Sequence, residues 1–107
     1  MNLGSGFGGP ARYLSATFGA RVTAVELQDE VDRFARELTA RCGLDAAVTH
    51  LCGDALAVTA SLTPQSVSAF VSWLTLLHIP ERTQLIQQVR SDGYLGSLNA
   101  ALLLPLP

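Results

Sequence analysis

The 107-residue sequence contains no lysine, only two cysteines and few charged residues of either sign. Its seven basic residues are all arginine and are outnumbered by nine acidic residues, so the formal charge is −2 at pH 7. A nucleic acid or an anionic membrane requires a basic face on its partner, and the weak acidity argues against both. Cys42 and Cys52 fit neither a disulfide framework nor a paired metal knuckle, so we expect reduced, partly buried thiols and no metal site.

The sequence also lacks the features of disordered, secreted and membrane-spanning chains. Hydrophobic residues make up 49% and charged residues 15%, a composition that excludes disorder and suits at most one domain. No basic region followed by an apolar segment opens the chain, and the apolar run at 102–107 is short and broken by proline. We therefore expect a cytoplasmic protein with no membrane partner.

Apolar periodicity and glycine or proline punctuation predict helices that alternate with strands. We expect helices at about 10–18, at 28–42 and from Pro80 onward, strands at 21–26, 47–52 and 67–73, and a loop at 55–66. This alternation is typical of an α/β fold with a parallel sheet.

The segment 28–42 has the clearest helical pattern. Its apolar side chains recur on one face at helical spacing, which predicts that this face is buried: Val31, Phe34, Ala35, Leu38 and Cys42. Three acidic residues are each followed four positions later by arginine, in the more favourable orientation for ion pairs: Asp29–Arg33, Asp32–Arg36 and Glu37–Arg41.

The segment 4–10 is a glycine-rich turn directly before the first predicted helix. Gly4, Gly6 and Gly9 satisfy the pattern G-x-G-x-x-G, whereas Gly8 in place of Gly9 completes G-x-G-x-G. In both patterns glycine lets the backbone approach a ligand closely, and the next helix offers unpaired N–H groups. Such a turn predicts a binding site for a cofactor of the nucleotide type.

Glu26 ends the next predicted strand, 22 residues beyond Gly4. A carboxylate in this place accepts hydrogen bonds from both hydroxyls of a ribose. The turn and the acid are shared by nicotinamide or flavin oxidoreductases, which leaves that enzyme class open at this point.

Four segments, taken in order, resemble the motifs of class I S-adenosylmethionine-dependent methyltransferases. They are most similar to N-methyltransferases of the sarcosine/dimethylglycine and phosphoethanolamine type. The segments are 2–14, 25–27, 52–55 and 71–82, and the resemblance covers residues 2 to about 90. The resemblance implies a Rossmann-like parallel sheet with flanking helices, S-adenosyl-L-methionine as cofactor and a small-molecule methyl acceptor. The oxidoreductase alternative does not explain the last two segments.

The resemblance also implies roles for residues at the cofactor. Gly4, Gly6 and Gly8 would line its methionine end, and Glu26 would hold the ribose. Asp54, with the backbone of Ala55, would hold the adenine.

A second group of residues lies after the last predicted strand. Ser72 would lie near the cofactor, and His78 could act as a base toward an ammonium acceptor because its ordinary pKa is near neutrality. We expect Trp73 and Phe70 to belong to the core and His50 to be an ordinary strand residue.

The chain also departs from the family's pattern. Asn2 replaces the usual acid before the first glycine, and Ser68 replaces the acid at the start of the fourth strand. The sequence contains only two residues that match the family's first strand, Asn2 and Leu3. It shows no pattern that predicts the family's later strands. We therefore expect residues 1–95 to be the N-terminal part of a methyltransferase domain, and residues 96–107 to be an irregular apolar tail.

Such an incomplete sheet would leave the second and fourth strands with unpaired inner edges. This permits a third hypothesis, a non-catalytic regulatory fragment that pairs with a full-length relative through its exposed strand edges.

We predict that the isolated 107-residue chain neither unfolds cooperatively nor transfers methyl groups, because unpaired edges and exposed apolar surface favour aggregation. Thermal denaturation followed by circular dichroism, together with a methyl-transfer assay, measures this. A sharp transition together with micromolar binding of S-adenosylmethionine would contradict it.

Overall fold

A computed structural model of the chain describes residues 1–64, 66–73, 75–92 and 100–103. The strands of this part are β1 (Asn2–Leu3), β2 (Val22–Glu26), β3 (Val48–Cys52), β4 (Phe70–Trp73) and β5 (Ala100–Leu103). Its helices are α1 (Gly9–Phe18), α2 (Asp29–Arg41), α3 (Ala55–Ala60) and α4 (Arg82–Asp92), with a short 3₁₀ helix at Leu76–His78. The predicted α/β fold with a parallel sheet and flanking helices is confirmed.

The strands form one parallel sheet in the order β3-β2-β1-β4-β5. From the central strand β1, the chain adds β2 and β3 on one side and β4 and β5 on the other. The order thus reverses between β1 and β4, and ligands of open α/β sheets bind at the carboxyl ends of the strands beside such a reversal.

Strand β1 is short, as expected, but it is fully inserted into the sheet. Asn2 is in register with Ala24 of β2 and with Val71 of β4, and Leu3 extends both pairings. The backbone N–H of Val71 also donates to the carbonyl of Met1 at 2.8 Å. The expected unpaired inner edges are therefore wrong, and association through them loses its basis.

The core lies on both faces of the sheet, because residues alternate between the faces along each strand. One cluster of buried residues, packed by α3 and α4, contains Leu3, Val25, Phe70, Leu76 and Leu85. The other, packed by α1, contains Ala11, Val22, Ala24 and Val48. Phe70 thus belongs to the core as predicted, whereas Trp73 is 48% exposed and does not.

Helix α3 lies in the segment that we predicted as a loop. Asp54 caps it, since the Asp54 carboxylate accepts a hydrogen bond from the backbone N–H of Ala57 at 3.1 Å. Leu56 and Val58 pack against the core. Six residues are too few to show a helical period, so the pattern of residues alone did not reveal this helix.

The buried face of α2 differs from the predicted one. Asp32, Ala35 and Thr39 are its buried residues, whereas Phe34 is 51% exposed and Cys42 is exposed too. Burial of Asp32 is possible because its carboxylate pairs with Arg36 at 2.6 Å. Of the three predicted ion pairs, the structure shows Asp29–Arg33 and Asp32–Arg36.

Part of the predicted irregular tail is a strand. β5 pairs along its length with β4, from Phe70 opposite Ala100 to Trp73 opposite Leu103. The segment lacks polar alternation because a strand of a parallel sheet is apolar on both faces. The sequence at 91–95 also resembles a turn into a fifth strand, but residues 91 and 92 still belong to α4. Residues 93–95, the domain boundary after residue 95 and the remaining tail residues lie outside the described residues.

Several large apolar side chains are exposed, as we expected for apolar surface in this chain. Their exposed fractions range from 37% to 69%: Phe7, Tyr13, Phe18, Leu27, Phe34, Leu51, Trp73 and Ile86. Cys52, like Cys42, is exposed and carries a free thiol, so the expected partial burial is wrong for both. Within the described ranges, no helix is long and apolar enough to cross a membrane.

We predict that Leu85→Ala destabilises the fold by about 2–5 kcal/mol, because Leu85 is 1% exposed and its truncation leaves a cavity beside Leu3 and Phe70. The neighbouring Ile86→Ala is the control, since Ile86 is 37% exposed and its truncation costs less. Urea unfolding of the protein in its full length measures both changes. Equal losses for the two variants would contradict the assigned core.

Candidate functional site

The candidate site lies at the carboxyl edge of the sheet, where four loops meet. The glycine turn follows β1, Glu26 ends β2, Gly53 and Asp54 follow β3, and Thr75 follows β4. Backbone hydrogen bonds hold these loops together. The N–H groups of Gly4 and Ser5 both donate to the carbonyl of Val25, at 2.8 and 2.9 Å.

Gly4 packs directly against Thr75. The Thr75 hydroxyl donates to the Gly4 carbonyl at 3.2 Å, and a methyl group on Gly4 would overlap the Thr75 side chain. Gly4 also has φ of +72°, a conformation that residues with a side chain rarely adopt. Glycine is therefore required here by the protein's own packing. No feature of the sequence pattern singles out Thr75.

Gly8 is the N-cap of α1, one residue earlier than the pattern suggested, and it is buried. A methyl group on Gly8 would lie 2.6 Å from Arg12 Nη1 and 3.1 Å from His50 Cε1. Gly6 differs from both glycines, because no atom of the described residues lies within 4 Å of the place where its Cβ would be. The middle of the turn therefore faces open space, while both ends are packed.

Glu26 is half-buried at the end of β2. The backbone N–H of Gln28 lies 3.5 Å from Glu26 Oε2, a long contact that leaves most of the carboxylate's capacity to accept hydrogen bonds unused. The Glu26 carbonyl accepts the N–H of Gly53 at 2.9 Å, which ties the loop after β3 to the end of β2.

Asp54 and Ala55 lie beyond Glu26 along the same edge. Asp54 is exposed and uses Oδ2 to cap α3, so Oδ1 is the oxygen that remains for a ligand. Ala55 begins α3 and packs against the core.

Asn2 and Ser5 are buried polar residues that bracket the start of the turn. Asn2 is 1% exposed and Ser5 3%, and within the described part of the chain their side-chain polar atoms have no hydrogen-bond partner. Unpaired buried polar atoms cost about 1–3 kcal/mol each, and a polar ligand beside the turn would supply partners.

The residues after β4 are less closely joined to the turn. Ser72 is in register with Leu3 and is 5% exposed, so its hydroxyl lies inside the protein and has no partner among the described residues. His78 is exposed in the 3₁₀ helix, and no contact in the described ranges links its side chain to the glycine turn. Their predicted roles stay predictions.

Trp73 lines an apolar groove of about 510 Å³ between α1 and β4, which it shares with Gly9, Pro10, Tyr13, Leu14 and Val71. Among the described residues there is no group of three or more His, Cys, Asp or Glu side chains that could hold a metal ion.

A parallel sheet with this order, a glycine turn after its central strand and an acid at the end of the next strand are typical of one class, the α/β proteins that bind nucleotide-type cofactors. Residues 1–91 match the family described as the methyltransferase domain. The chain belongs to this family. The match favours a methyltransferase over an oxidoreductase.

Known proteins agree with this assignment. The chain is 32% identical over 91 residues to glycine/sarcosine/dimethylglycine N-methyltransferase of Actinopolyspora halophila, which covers 83% of this chain and 15% of that protein. A phosphoethanolamine N-methyltransferase 2 of Haemonchus contortus, solved with S-adenosylhomocysteine and phosphomonomethylethanolamine, superposes with a TM-score of 0.77 and is 27% identical. That alignment covers 85% of this chain and 20% of the solved one.

A more distant structure shares the fold alone. Geranyl diphosphate C-methyltransferase of Streptomyces coelicolor, solved with S-adenosyl-L-homocysteine, superposes with a TM-score of 0.80 at 19% identity. The alignment covers 90% of this chain and 34% of that one. The chain therefore spans well under half the length of each of these three proteins.

We predict that Gly4→Ala destabilises the protein by about 2–5 kcal/mol, through its positive φ and the overlap with Thr75. Gly9→Ala is the matched control, since its Cβ would meet no atom within 4 Å. Adding Thr75→Ala to Gly4→Ala should recover part of the loss. Urea unfolding measures all three variants, and equal stability of the Gly4 and Gly9 variants would contradict the assigned packing.

Proposed function

We propose that the protein is an S-adenosyl-L-methionine-dependent methyltransferase and that this chain contains the cofactor-binding half of its domain. The observation that carries the proposal is the open space over Gly6, between the packed ends of the turn and at the same edge of the sheet as the largely unused carboxylate of Glu26. The family match and the structures solved with S-adenosylhomocysteine support it.

The residues present fit this cofactor. Asn2 and Ser5 have buried polar atoms without partners in the described structure, and the turn needs no side chain at Gly6. Gly4, Gly6 and Gly8 would lie along the methionine end of the cofactor, and Glu26 would accept hydrogen bonds from both ribose hydroxyls.

The adenine would lie farther along the same edge. Asp54 Oδ1 would accept a hydrogen bond from the adenine amino group, because Oδ2 already caps α3. The backbone of Ala55 would complete this end of the site. The hydroxyl of Ser72 is buried and would contact a cofactor only after a local rearrangement exposed it. We therefore propose Ser72 as a residue at the edge of the site.

When bound, S-adenosylmethionine would supply an electrophilic methyl group, whose bond to the sulfonium sulfur breaks as its bond to the acceptor forms, with S-adenosylhomocysteine as the leaving group. The protein's own contribution is to position donor and acceptor and to exclude water. His78 would take the proton that an ammonium acceptor must lose before its nitrogen has an electron pair with which to attack. Its exposed position after β4 is the carboxyl-edge location that this role requires.

The acceptor is a small molecule in this proposal. The relative that is 32% identical is named for glycine, sarcosine and dimethylglycine, and the Haemonchus structure contains phosphomonomethylethanolamine. We therefore propose a small amine that also carries an acidic group. A cytoplasmic location stays a prediction.

We predict that Glu26→Gln weakens binding of S-adenosylhomocysteine by about 10- to 100-fold, because hydrogen bonds to a charged acceptor are the stronger ones. Glu30→Gln is the control, since it removes an exposed carboxylate from the nearby start of α2. Isothermal titration calorimetry on the protein in its full length measures both. Binding of NAD without binding of S-adenosylhomocysteine would overturn the proposed function.

A further inference from the structure

A buried hydrogen-bonded group lies under the Gly8 end of the turn and joins α1, α2 and β3. Arg12 Nη1 donates to Thr39 Oγ1 at 3.2 Å and to the carbonyl of Ala35 at 3.4 Å. Thr39 Oγ1 lies 2.7 Å from His50 Nε2. Thr39 is 1% exposed and His50 7%, so little water competes with these contacts.

The direction of the first of these hydrogen bonds is fixed by chemistry, and that of the second depends on the imidazole tautomer. Arg12 can only donate, so the Thr39 oxygen is the acceptor of that bond. The Thr39 oxygen has a second lone pair, so its contact with His50 Nε2 is either donated by the Thr39 hydroxyl or donated by an Nε2–H of the ring. His50 Nδ1 has no hydrogen-bond partner among the described residues, so protonation of the ring would gain no bond there.

The charges around His50 are mixed. Asp32 and Arg36 face it from α2 and Arg12 from α1, while its register partner on β2 is the uncharged Ala24. Burial is the largest influence and lowers the pKa of His50; the two arginines lower it further, and Asp32 raises it. The neutral imidazole is therefore the favoured form of His50 near neutral pH.

The same residues touch Gly8. A methyl group on Gly8 would lie 2.6 Å from Arg12 Nη1 and 3.1 Å from His50 Cε1, so these two side chains form the floor beneath the turn. The backbone N–H of Arg12 also donates to the Gly8 carbonyl at 2.9 Å. A shift of Arg12 or His50 would therefore move the N-terminus of α1 and the end of the turn.

We propose that Arg12, Thr39 and His50 are positioning residues: they form a buried brace that holds the Gly8 end of the turn in the shape that binds the cofactor. This inference rests on the proposed function, because it concerns the same cofactor site. It adds residues from three elements that touch the turn from beneath and do not themselves contact the cofactor.

The first test removes the shared hydroxyl. Thr39→Val keeps the side-chain shape and takes away the partner of both Arg12 and His50, so we expect binding of S-adenosylhomocysteine to weaken about tenfold. Thr39→Ser keeps the hydroxyl and should bind within about threefold of the unchanged protein. Thr49→Val, an equivalent change at an exposed residue of β3, is the matched control.

The second test measures cofactor binding as a function of pH. If His50 had only a structural role, its protonation would not change the affinity for the cofactor. Binding of S-adenosylhomocysteine should weaken as the pH falls below the ordinary pKa of histidine, because protonation of His50 then places a buried positive charge beside Arg12 and under the turn. In His50→Gln the amide cannot gain a proton, so this acidic loss should flatten. Every other side chain is the same in the two proteins, so a difference between their pH profiles reports on residue 50.

Calorimetry on the full-length protein, at temperatures well below the melting point of each variant, separates the outcomes. The proposed role of the brace is wrong if Thr39→Val binds S-adenosylhomocysteine as tightly as the unchanged protein does. It is also wrong if the loss of affinity at acidic pH is the same with and without His50. In either case the proposed function stands. Should Thr39→Val fail to fold, the Thr39→Ser value and the His50 pH comparison still decide. If the unchanged protein does not bind S-adenosylhomocysteine at all, the proposed function itself has failed.

Discussion

The structure depends on the backbone pairing of a strand of two residues. Strand β1 consists of Asn2 and Leu3 alone, yet it lies between β2 and β4 and joins the two halves of the sheet. Because β1 ends at Leu3, the chain must turn at Gly4, where the N–H groups of Gly4 and Ser5 share the Val25 carbonyl. The position of the glycine turn at the reversal of strand order follows from this pairing.

The turn itself is held at its ends and open in its middle. Thr75 packs on Gly4 from the loop after β4, and Arg12 and His50 pack under Gly8. A Cβ on Gly6, between them, would meet no atom of the described residues within 4 Å apart from its chain neighbours. A backbone fixed in this way does not need to be ordered when a ligand binds, which lowers the entropic cost of binding. The carboxylate of Glu26 lies at the end of the next strand and Asp54 follows the strand after that, so the three parts of the proposed cofactor site lie in order along one edge of the sheet.

Local features of the fold could be predicted from the sequence, whereas contacts between distant residues could not. The glycine pattern, Glu26 and the helical period of α2 are short-range signals, and the structure bears out the elements that they predicted. The buried face of α2 was missed because Asp32 and Thr39 are polar, and only their partners Arg36 and His50 make their burial possible. Thr75 lies 71 residues from Gly4 in the sequence, and no periodic pattern reports such a contact. Helix α3 was too short to show a period, and β5 is apolar without alternation.

A crystal structure of the full-length protein with S-adenosylhomocysteine tests the central claim most directly. We expect ribose hydroxyls within about 3 Å of the Glu26 carboxylate, the amino acid end of the ligand over Gly6 and the adenine beside Asp54. We also expect that the turn from Gly4 to Gly8 keeps its backbone conformation when the ligand binds. A ligand bound in the groove between α1 and β4, with Gly6 and Glu26 uncontacted, would contradict the account.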